Sequence, residues 1–524
     1  MNWIDNMISQ VSPRWGYQRE AWRQGLAELQ KNYDAGGYGR INANWRVHNE
    51  SAELTDKYDR DIVRARARDL ERNSDIMNAT LSAFERNIIG KGYTLQPNTG
   101  KNALDDEIRA LWGEWCKAKN CDVTGQQSFN EMMRMAVIRK KVDGGILFLK
   151  RYTTIGILPF QLQAIEVDEL DTAQIEPRNK ANKVIGGIEY NAFNRPVGYY
   201  IRQYTLDGYQ SMTPVYVEAK DVIFYYTKRR PSQVREMSDM AQTMPRIRDT
   251  NEFMTAVSIK ERIAACLAVF IKKALPTTGI GRGATGSGDR VSYEGKSIAP
   301  GMIKEMNAGD EIQVVSPNGA ATDATQYTKL QQRMIGAGQG LSYESTSRDM
   351  SETNYSSARQ SAIEDELTYF KDVESIQEKV FDEIYETFLI SAYLKGLLDM
   401  KGFWDSHEKK RSYMKHTWVA TPKKWIDPAK EANANKIALH SGQKTFQQIC
   451  AENGTDYKDY IDDMAKVIEY GKSKGLELGG VIYGQKKEEL FKKEETEEQP
   501  ITDEAGQQQS EQQGQQQPKQ PKQE

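Results

Sequence analysis

Apolar positions change their spacing several times along the chain, and each change marks an element. Between Asp56 and Asn87, Ile62, Ala65, Met77, Leu81, Phe84 and Ile88 recur mostly at steps of three and four. That spacing predicts a helix over this stretch, ended by Gly90 and Gly92. Residues 103–142 predict two more helices, around Ile108 to Cys116 and Phe129 to Val142. The spacing then changes. Ile146 to Tyr152, Phe160 to Val167, Gly187 to Tyr190, Val197 to Tyr204 and Val222 to Tyr226 are short β-branched or aromatic runs between Gly, Asn and Pro turns. They predict an antiparallel β region. Helical spacing returns from Arg229 to Lys273, with Pro245 as the first residue of a second helix there. Twenty-eight residues of such a helix would be about 42 Å long.

The glycine-rich stretch 277–288 precedes short strand-like pieces that run to Val315. A short helix follows at Gln326 to Ile335, then a Gly/Ser/Asp-rich segment from Gly336 to Ser351. A long amphipathic helix runs from Tyr355 to Leu398, with Leu367, Phe370, Val380, Ile384 and Phe388 expected on its packed side. Two smaller helices, 428–440 and 457–473, close the ordered part. Residues 1–50 are rich in Trp, Tyr, Asn, Gly and Arg and predict an arm with one or two short helices. The expected class is α+β, with no internal repeat.

Composition narrows the function. The 524 residues are 38 % hydrophobic and 28 % charged, with a mean hydropathy of −0.71. The longest strongly apolar run, Ile263 to Ile271, is about nine residues, too short to span a bilayer. The first ten residues carry no basic flank and no long apolar core, so no secretory signal is expected. Cys116, Cys121, Cys266 and Cys450 are too few for a disulfide framework.

The net charge of −3 is unevenly spread. From Lys487 onward there are ten acidic and five basic residues, and the rest of the chain carries 66 basic and 64 acidic ones. The 487–524 tail is Gln-rich and almost free of apolar residues. It cannot offset its ordering entropy by burial, so Gln499 to Glu524 is expected to be disordered.

The candidate chemistry is thin. Gly281 to Gly286 fits G-x-G-x-x-G, but a predicted helix precedes it and no helix follows. Gly295-Lys296-Ser297 resembles the end of a phosphate loop, but Arg290 stands where its first glycine should be, and Pro300 comes too soon for the helix. Cys116 and Cys121 lack further ligands for zinc. His48, His407, His416 and His440 are scattered and read as surface or loop residues. Glu364-Asp365-Glu366 reads as a solvated helix face rather than a metal site. No catalytic residue, metal site or cofactor site emerges. Two basic groups remain: the arginines of 60–72, and the Lys/Arg set of 229–273. Each is either a helical face paired with acidic neighbours or a sequence-independent contact to phosphate.

The order of several short motifs resembles the lambda-type family of tailed-bacteriophage portal proteins. Arg64-Ala-Arg-Ala-Arg68-Asp-Leu-Glu-Arg72-Asn73, then Asn87-Ile-Ile-Gly90-Lys-Gly92, is similar to the family's opening. Gly187-Ile-Glu-Tyr-Asn and Arg195-Pro-Val-Gly-Tyr-Tyr are similar to its mid-chain hairpin. Arg230-Pro-Ser-Gln233-Val-Arg235 resembles its next element, with Ser232 and Glu236 where that element has glycines. Pro300-Gly301-Met-Ile and Gly309-Asp-Glu311 follow. The most specific block is Gly340-Leu-Ser-Tyr343-Glu, Asp349-Met-Ser351 and Asn354-Tyr355-Ser356-Ser357-Ala358-Arg359. Trp425-Ile-Asp427-Pro428-Ala-Lys430-Glu431-Ala closes the match.

The resemblance implies a non-enzymatic portal fold in a ring of about twelve subunits at one capsid vertex. Double-stranded DNA would be packaged and ejected through that ring without sequence preference. It implies as partners the terminase large subunit, the major capsid and scaffolding proteins and a head–tail adaptor, with assembly in the host cytoplasm, and no membrane. The expected division is an arm (1–50), an α+β wing (51–229), a first stem helix region (230–273), a clip (274–318), a second stem helix and tunnel loop (319–354), a long wing helix with more wing (355–427), crown helices (428–486) and the tail (487–524). DNA-facing candidates in the loop are Gly340, Ser345, Ser347, Arg348, Asp349, Ser351 and Asn354. Those in the stem are Arg246, Arg248, Lys260 and Arg262. Candidates for motor docking on the clip are Arg282, Arg290 and Lys296. The competing expectations are another capsid-associated adaptor and a packaging nuclease or ATPase.

Twelve helices about 10 Å apart would enclose a lumen of about 28 Å, wider than a B-form duplex. Fixed phosphate contacts would slow sliding DNA, so a near-neutral core suits such a channel.

Overall fold

The structure is a computed structural model. It describes residues 49–265, 323–420 and 428–476, most of 7–29, Asn44, Val47 and two short strands at 269–271 and 303–305. The chain divides into two compact units, Met1–Trp418 and Val419–Glu524.

The first unit opens with helix α1 (Pro13–Leu29), then α2 (Ala52–Asp56), α3 (Arg60–Asn73) and α4 (Asp75–Ile88). The single helix expected over 56–87 is thus at least two. Ser74 breaks it: its backbone is extended and its hydroxyl caps α4 by accepting from the Met77 N–H at 3.3 Å. After β1 (Tyr93–Pro97) come α5 (Asn102–Trp115), α6 (Ala118–Cys121) and α7 (Phe129–Val142). A reciprocal cap starts α7, in which Ser128 and Glu131 each bond the other's backbone N–H.

The β region is antiparallel, as its alternation predicts. Strands β2 (Gly145–Arg151), β3 (Gln161–Ile165) and, further along the chain, β8 (Val222–Tyr226) form one sheet in the order β3-β2-β8. Strands β4 (Lys183–Ile185), β5 (Ile188–Tyr190), β6 (Pro196–Ile201) and β7 (Val215–Glu218) form a second sheet in chain order. β4 and β7 have only three and four residues, too short for their alternation to stand out in the sequence. Leu147, Leu149, Ile165, Val167, Leu170, Ile188, Tyr199, Ile201 and Val222 fill the space between the sheets.

Residues 229–243 differ from expectation, because they form turns rather than a helix. Helix α8 (Met244–Ala265) has 22 residues, so it is about 33 Å long. Pro245 is its second residue, where its missing N–H costs no hydrogen bond. Strands β9 (Val269–Ile271) and β10 (Ile303–Glu305) pair in parallel. Helix α9 (Ala324–Gln339) is longer than the expected 326–335. It is followed by α10 (Tyr343–Ser347) and α11 (Tyr355–Ile376). A π-helical turn at Gln377–Phe381 carries α11 into α12 (Asp382–Leu394). Val380, Ile384 and Phe388 are buried as expected, whereas Leu367 and Phe370 are 66 % and 62 % exposed. The wider pitch of the π turn shifts the helical phase, so one stripe cannot be extrapolated across it.

Helix α13 (His407–Tyr413) and strand β11 (His416–Ala420) follow, and β11 pairs with β1. The main core lies among α4, α5, α7, α12 and the first sheet, with Trp112, Trp115, Phe129, Phe160, Phe381 and Phe388 at its centre. The second unit contains α14 (Pro428–His440), α15 (Phe446–Glu452) and α16 (Tyr457–Ser473). Phe446 meets Tyr460 edge-on at 5.6 Å. The glycine-rich motifs at 281–286 and 295–297, and the tail from 487, lie outside the described residues.

Candidate functional site

Helices α8 and α9 form an antiparallel hairpin. Gln339 Nε2 donates to Thr243 Oγ1 at 3.0 Å, Arg246 donates to Gln331 at 2.7 Å, and Phe253 packs on Tyr327 with centroids 4.5 Å apart. As the numbers rise along α8 they fall along α9. The root of the hairpin is fixed by an apolar cluster in which Met244, Ile247 and Ile335 meet Ala67, Leu70, Met77 and Leu81 of α3 and α4.

Away from the root, burial stops. No residue of α8 from Asn251 to Arg262, and none of α9 before Ile335, is buried. Met254, Ile259, Leu330 and Met334 are 41–55 % exposed. Isolated helices draw most of their stability from packing an apolar face. A two-helix arm with no buried residue over its outer half therefore lacks part of its packing in the single subunit.

Four expected DNA-facing residues lie on this arm. Arg246 is committed to Gln331, and Arg248 forms an i,i+4 pair with Glu252 at 2.7 Å. Lys260 and Arg262 are exposed near the outer end of α8.

The segment after α9 is a built loop. Gly340 ends the helix in the left-handed conformation (φ +71°), and the Leu341 N–H bonds back to the Gly336 carbonyl at 2.8 Å. A Cβ at Gly340 would come within 2.9 Å of Thr368 Oγ1, which itself donates to the Gly340 carbonyl at 2.6 Å. Asp365 of α11 accepts from the Ser342 N–H (2.6 Å), from the Ser342 hydroxyl (2.7 Å) and from the Ser345 hydroxyl. The acidic triplet 364–366 is therefore not wholly a solvated face. Asp365 is 3 % exposed, and the loop takes up its lone pairs.

Ser347 bonds the Tyr343 carbonyl at 2.7 Å and accepts from the Asp349 N–H. Asp349 accepts from the Ser351 N–H and hydroxyl, and those bonds hold its carboxyl below the usual range. Asn354 caps α11 by accepting from the Ser357 N–H at 2.8 Å. Arg348 is exposed at φ +58°. Glu352 reaches back to α9, with Lys329 as its close partner and Arg333 at 3.7 Å.

The structure thus brings Gly340, Ser345, Ser347, Arg348, Asp349, Ser351 and Asn354 into one loop. Most of their polar groups are spent on the loop itself, and Arg348 is the expected residue left pointing outward. Sequence reasoning missed Asp365, Thr368, Lys329 and Glu352, the residues that hold the loop. Their partners are 19 to 28 positions away, beyond the reach of helical spacing. Arg282, Arg290 and Lys296 lie outside the described residues.

The arginines of 60–72 divide between two roles. Arg64 pairs with Asp168 at 2.6 Å and Glu236 at 2.8 Å, and Arg68 pairs with Asp143 and Asp168. Arg235 forks onto Glu236, whose other bonds come from Arg64. Burial pushes the Glu236 carboxyl up, but Arg235, Arg64 and Arg60 outweigh it and hold it below the ordinary range. Arg66 and Arg72 are exposed. Ser232 also has a use, accepting from the Ala52 N–H at 2.9 Å. In a second buried group, Lys140 and Lys141 close on Asp372 with Asp239 at 3.6 Å from each. These cations serve the fold and are not free for phosphate.

His416 is not a simple surface histidine. It contacts Asp382 at 3.0 Å and packs tilted against Tyr385 with centroids 4.2 Å apart. Cys121 is buried, its thiol directed at the Cys116 and Gln127 carbonyls. Among the described residues no His/Cys/Asp/Glu group is arranged to hold a metal, and no helix is long and apolar enough to cross a membrane.

Residues 38–371 match the protein family described as phage portal protein, lambda family. A probable portal protein of Halomonas phage phiHAP-1 is 23 % identical over 458 residues, covering 83 % of this chain and 86 % of that protein. Portal protein B of Escherichia phage lambda is 20 % identical over 481 residues, covering 84 % and 89 %. A solved structure of the neck of an empty gene transfer agent particle contains a chain 12 % identical, with a TM-score of 0.40, covering 80 % of this chain and 99 % of that one.

Proposed function

This chain belongs to the lambda family of phage portal proteins, and from that premise we propose that about twelve copies form a ring at one capsid vertex. The observation that carries the reading is the α8–α9 hairpin, whose outer half buries nothing in the single subunit. Set side by side around a ring axis, such hairpins cover Met254, Ile259, Leu330 and Met334 against their neighbours and enclose a channel.

In this reading α8 and α9 are the stem, residues 51–229 and 355–427 the wing, 274–318 the clip, and 428–486 the crown. The loop from Gly340 to Asn354 lies at the lumen, with Arg348 its foremost cation. Double-stranded DNA passes by sequence-blind contact, the clip meets the terminase motor and later the head–tail adaptor, and the wing meets capsid and scaffolding proteins. Assembly takes place in the host cytoplasm. The work is structural, and no residue has a catalytic role.

Negative-stain images of the purified full chain test this. The expected result is closed rings with a central hole. A monomer, or a metal-dependent nuclease or ATPase activity, overturns it.

A further inference from the structure

A cleft opens where residues of both sheets meet the turn at 231–234. Its floor is aromatic. Tyr226 stacks on Phe224 with centroids 4.4 Å apart, Tyr199 meets Phe224 edge-on, Tyr190 lies beside them, and the 231–234 turn closes one side. The cavity measures about 460 Å³, within the roughly 300–1,000 Å³ of ligand pockets. Lys183 and Lys228 stand exposed at its rim, and no carboxylate is among the described residues that line it.

One border of the cleft is a sheet edge, continuous with the face that carries Tyr190 and Tyr199. β4 is the outermost strand of its sheet and joins β5 through a two-residue turn, Gly186-Gly187, with both φ positive. Ile185 pairs with Ile188 and Lys183 with Tyr190, so Lys183 and Ile185 share the face that overlooks the cleft. In a two-residue hairpin the pair next to the turn exchanges the hydrogen bonds, which turns the peptide groups of Val184 outward. A strand edge that pairs with no other described strand, beside a side-chain pocket, is the arrangement that takes an added strand. The backbone supplies affinity, and a pocket for alternate side chains supplies selectivity.

We propose that this cleft docks an extended acidic segment of a partner protein. The segment lies along β4, places one aromatic side chain on the Tyr190–Tyr199–Phe224–Tyr226 floor and sets carboxylates against Lys183 and Lys228. Charge selects the occupant: both charged residues among the described lining are lysines, which disfavours a basic segment.

The test is fluorescence anisotropy with the full chain and a fluorescein-labelled decapeptide, acidic with a single central phenylalanine. The expected result is saturable binding, lost when lysines replace the acidic residues. Binding should weaken by about tenfold or more in Lys183→Glu/Lys228→Glu. Both lysines are exposed, so the fold tolerates their reversal. Equal binding of acidic and basic peptides, or an unchanged affinity in the double variant, overturns the proposal. So does displacement of the peptide by a DNA duplex. Loss of self-assembly in the double variant would mean that a second copy fills the cleft, and would overturn it too.

Discussion

Asp365 on α11 accepts hydrogen bonds from both the backbone N–H and the hydroxyl of Ser342, at 2.6 Å and 2.7 Å, while it is itself 3 % exposed. One carboxylate therefore fixes the start of the loop that carries Ser345, Arg348 and Asp349. Asp365→Ala should leave buried donors unsatisfied and cost about 1–3 kcal/mol. Amide hydrogen exchange should show faster exchange at residues 342–346 with little change in α7. Uniform protection across the loop would contradict the anchoring role.

Glu236 joins Arg64 and Arg235 while fully buried. Removing it takes the carboxylate from the buried Arg235 and one of two close carboxylates from Arg64, which keeps Asp168, so Glu236→Ala should destabilise by about 3–5 kcal/mol. Arg66→Ala, at an exposed position two residues after Arg64, should stay within about 0.5 kcal/mol. Thermal unfolding of both variants checks the contrast. Equal melting temperatures would show that the buried network contributes little.

Asp168 and Asp372 also have depressed carboxyls. Burial pushes each up, but Arg64 and Arg68 at Asp168, and Lys141 and Lys140 at Asp372, outweigh it. A carboxyl whose folded pKa lies below its unfolded value stabilises the fold above the unfolded value and loses that contribution as pH falls toward the folded one. Stability from these groups should therefore hold from pH 7 to about 5 and decline below about 4. Calorimetry across that range should show the break. A fall between pH 7 and 5 would point to other groups.

Leu330 and Met254 are exposed on the hairpin. Leu330→Asp should leave the subunit folded, because it removes no buried contact, yet abolish the assembly proposed above. Circular dichroism reads the first outcome and light scattering the second. Full-size assemblies in this variant would mean that the outer hairpin is not an interface.

Much of the fold was legible from spacing. The antiparallel alternation gave the β region, α7 begins and ends where its pattern does, and the long helix from Tyr355 was visible. Ser74 hid a break because apolar steps of three and four occur on both sides of it, although Ile62 and Ala65 are exposed and Met77, Leu81, Phe84 and Ile88 are buried. Residues 229–243 look helical by composition, but Arg235 and Glu236 are held there by partners some 50 to 170 positions distant. The same distance effect decided the site. The loop's own residues were readable as a motif, whereas Asp365 and Thr368 became meaningful only once α11 lay beside the loop.

The most direct test of the account is a cryo-electron microscopy reconstruction of the assembled full chain. In that reconstruction α8 and α9 should line the central channel, with Arg348 facing the lumen and Met254 and Leu330 buried between subunits. A ring in which this hairpin lies on the outer surface, away from the channel, would contradict it.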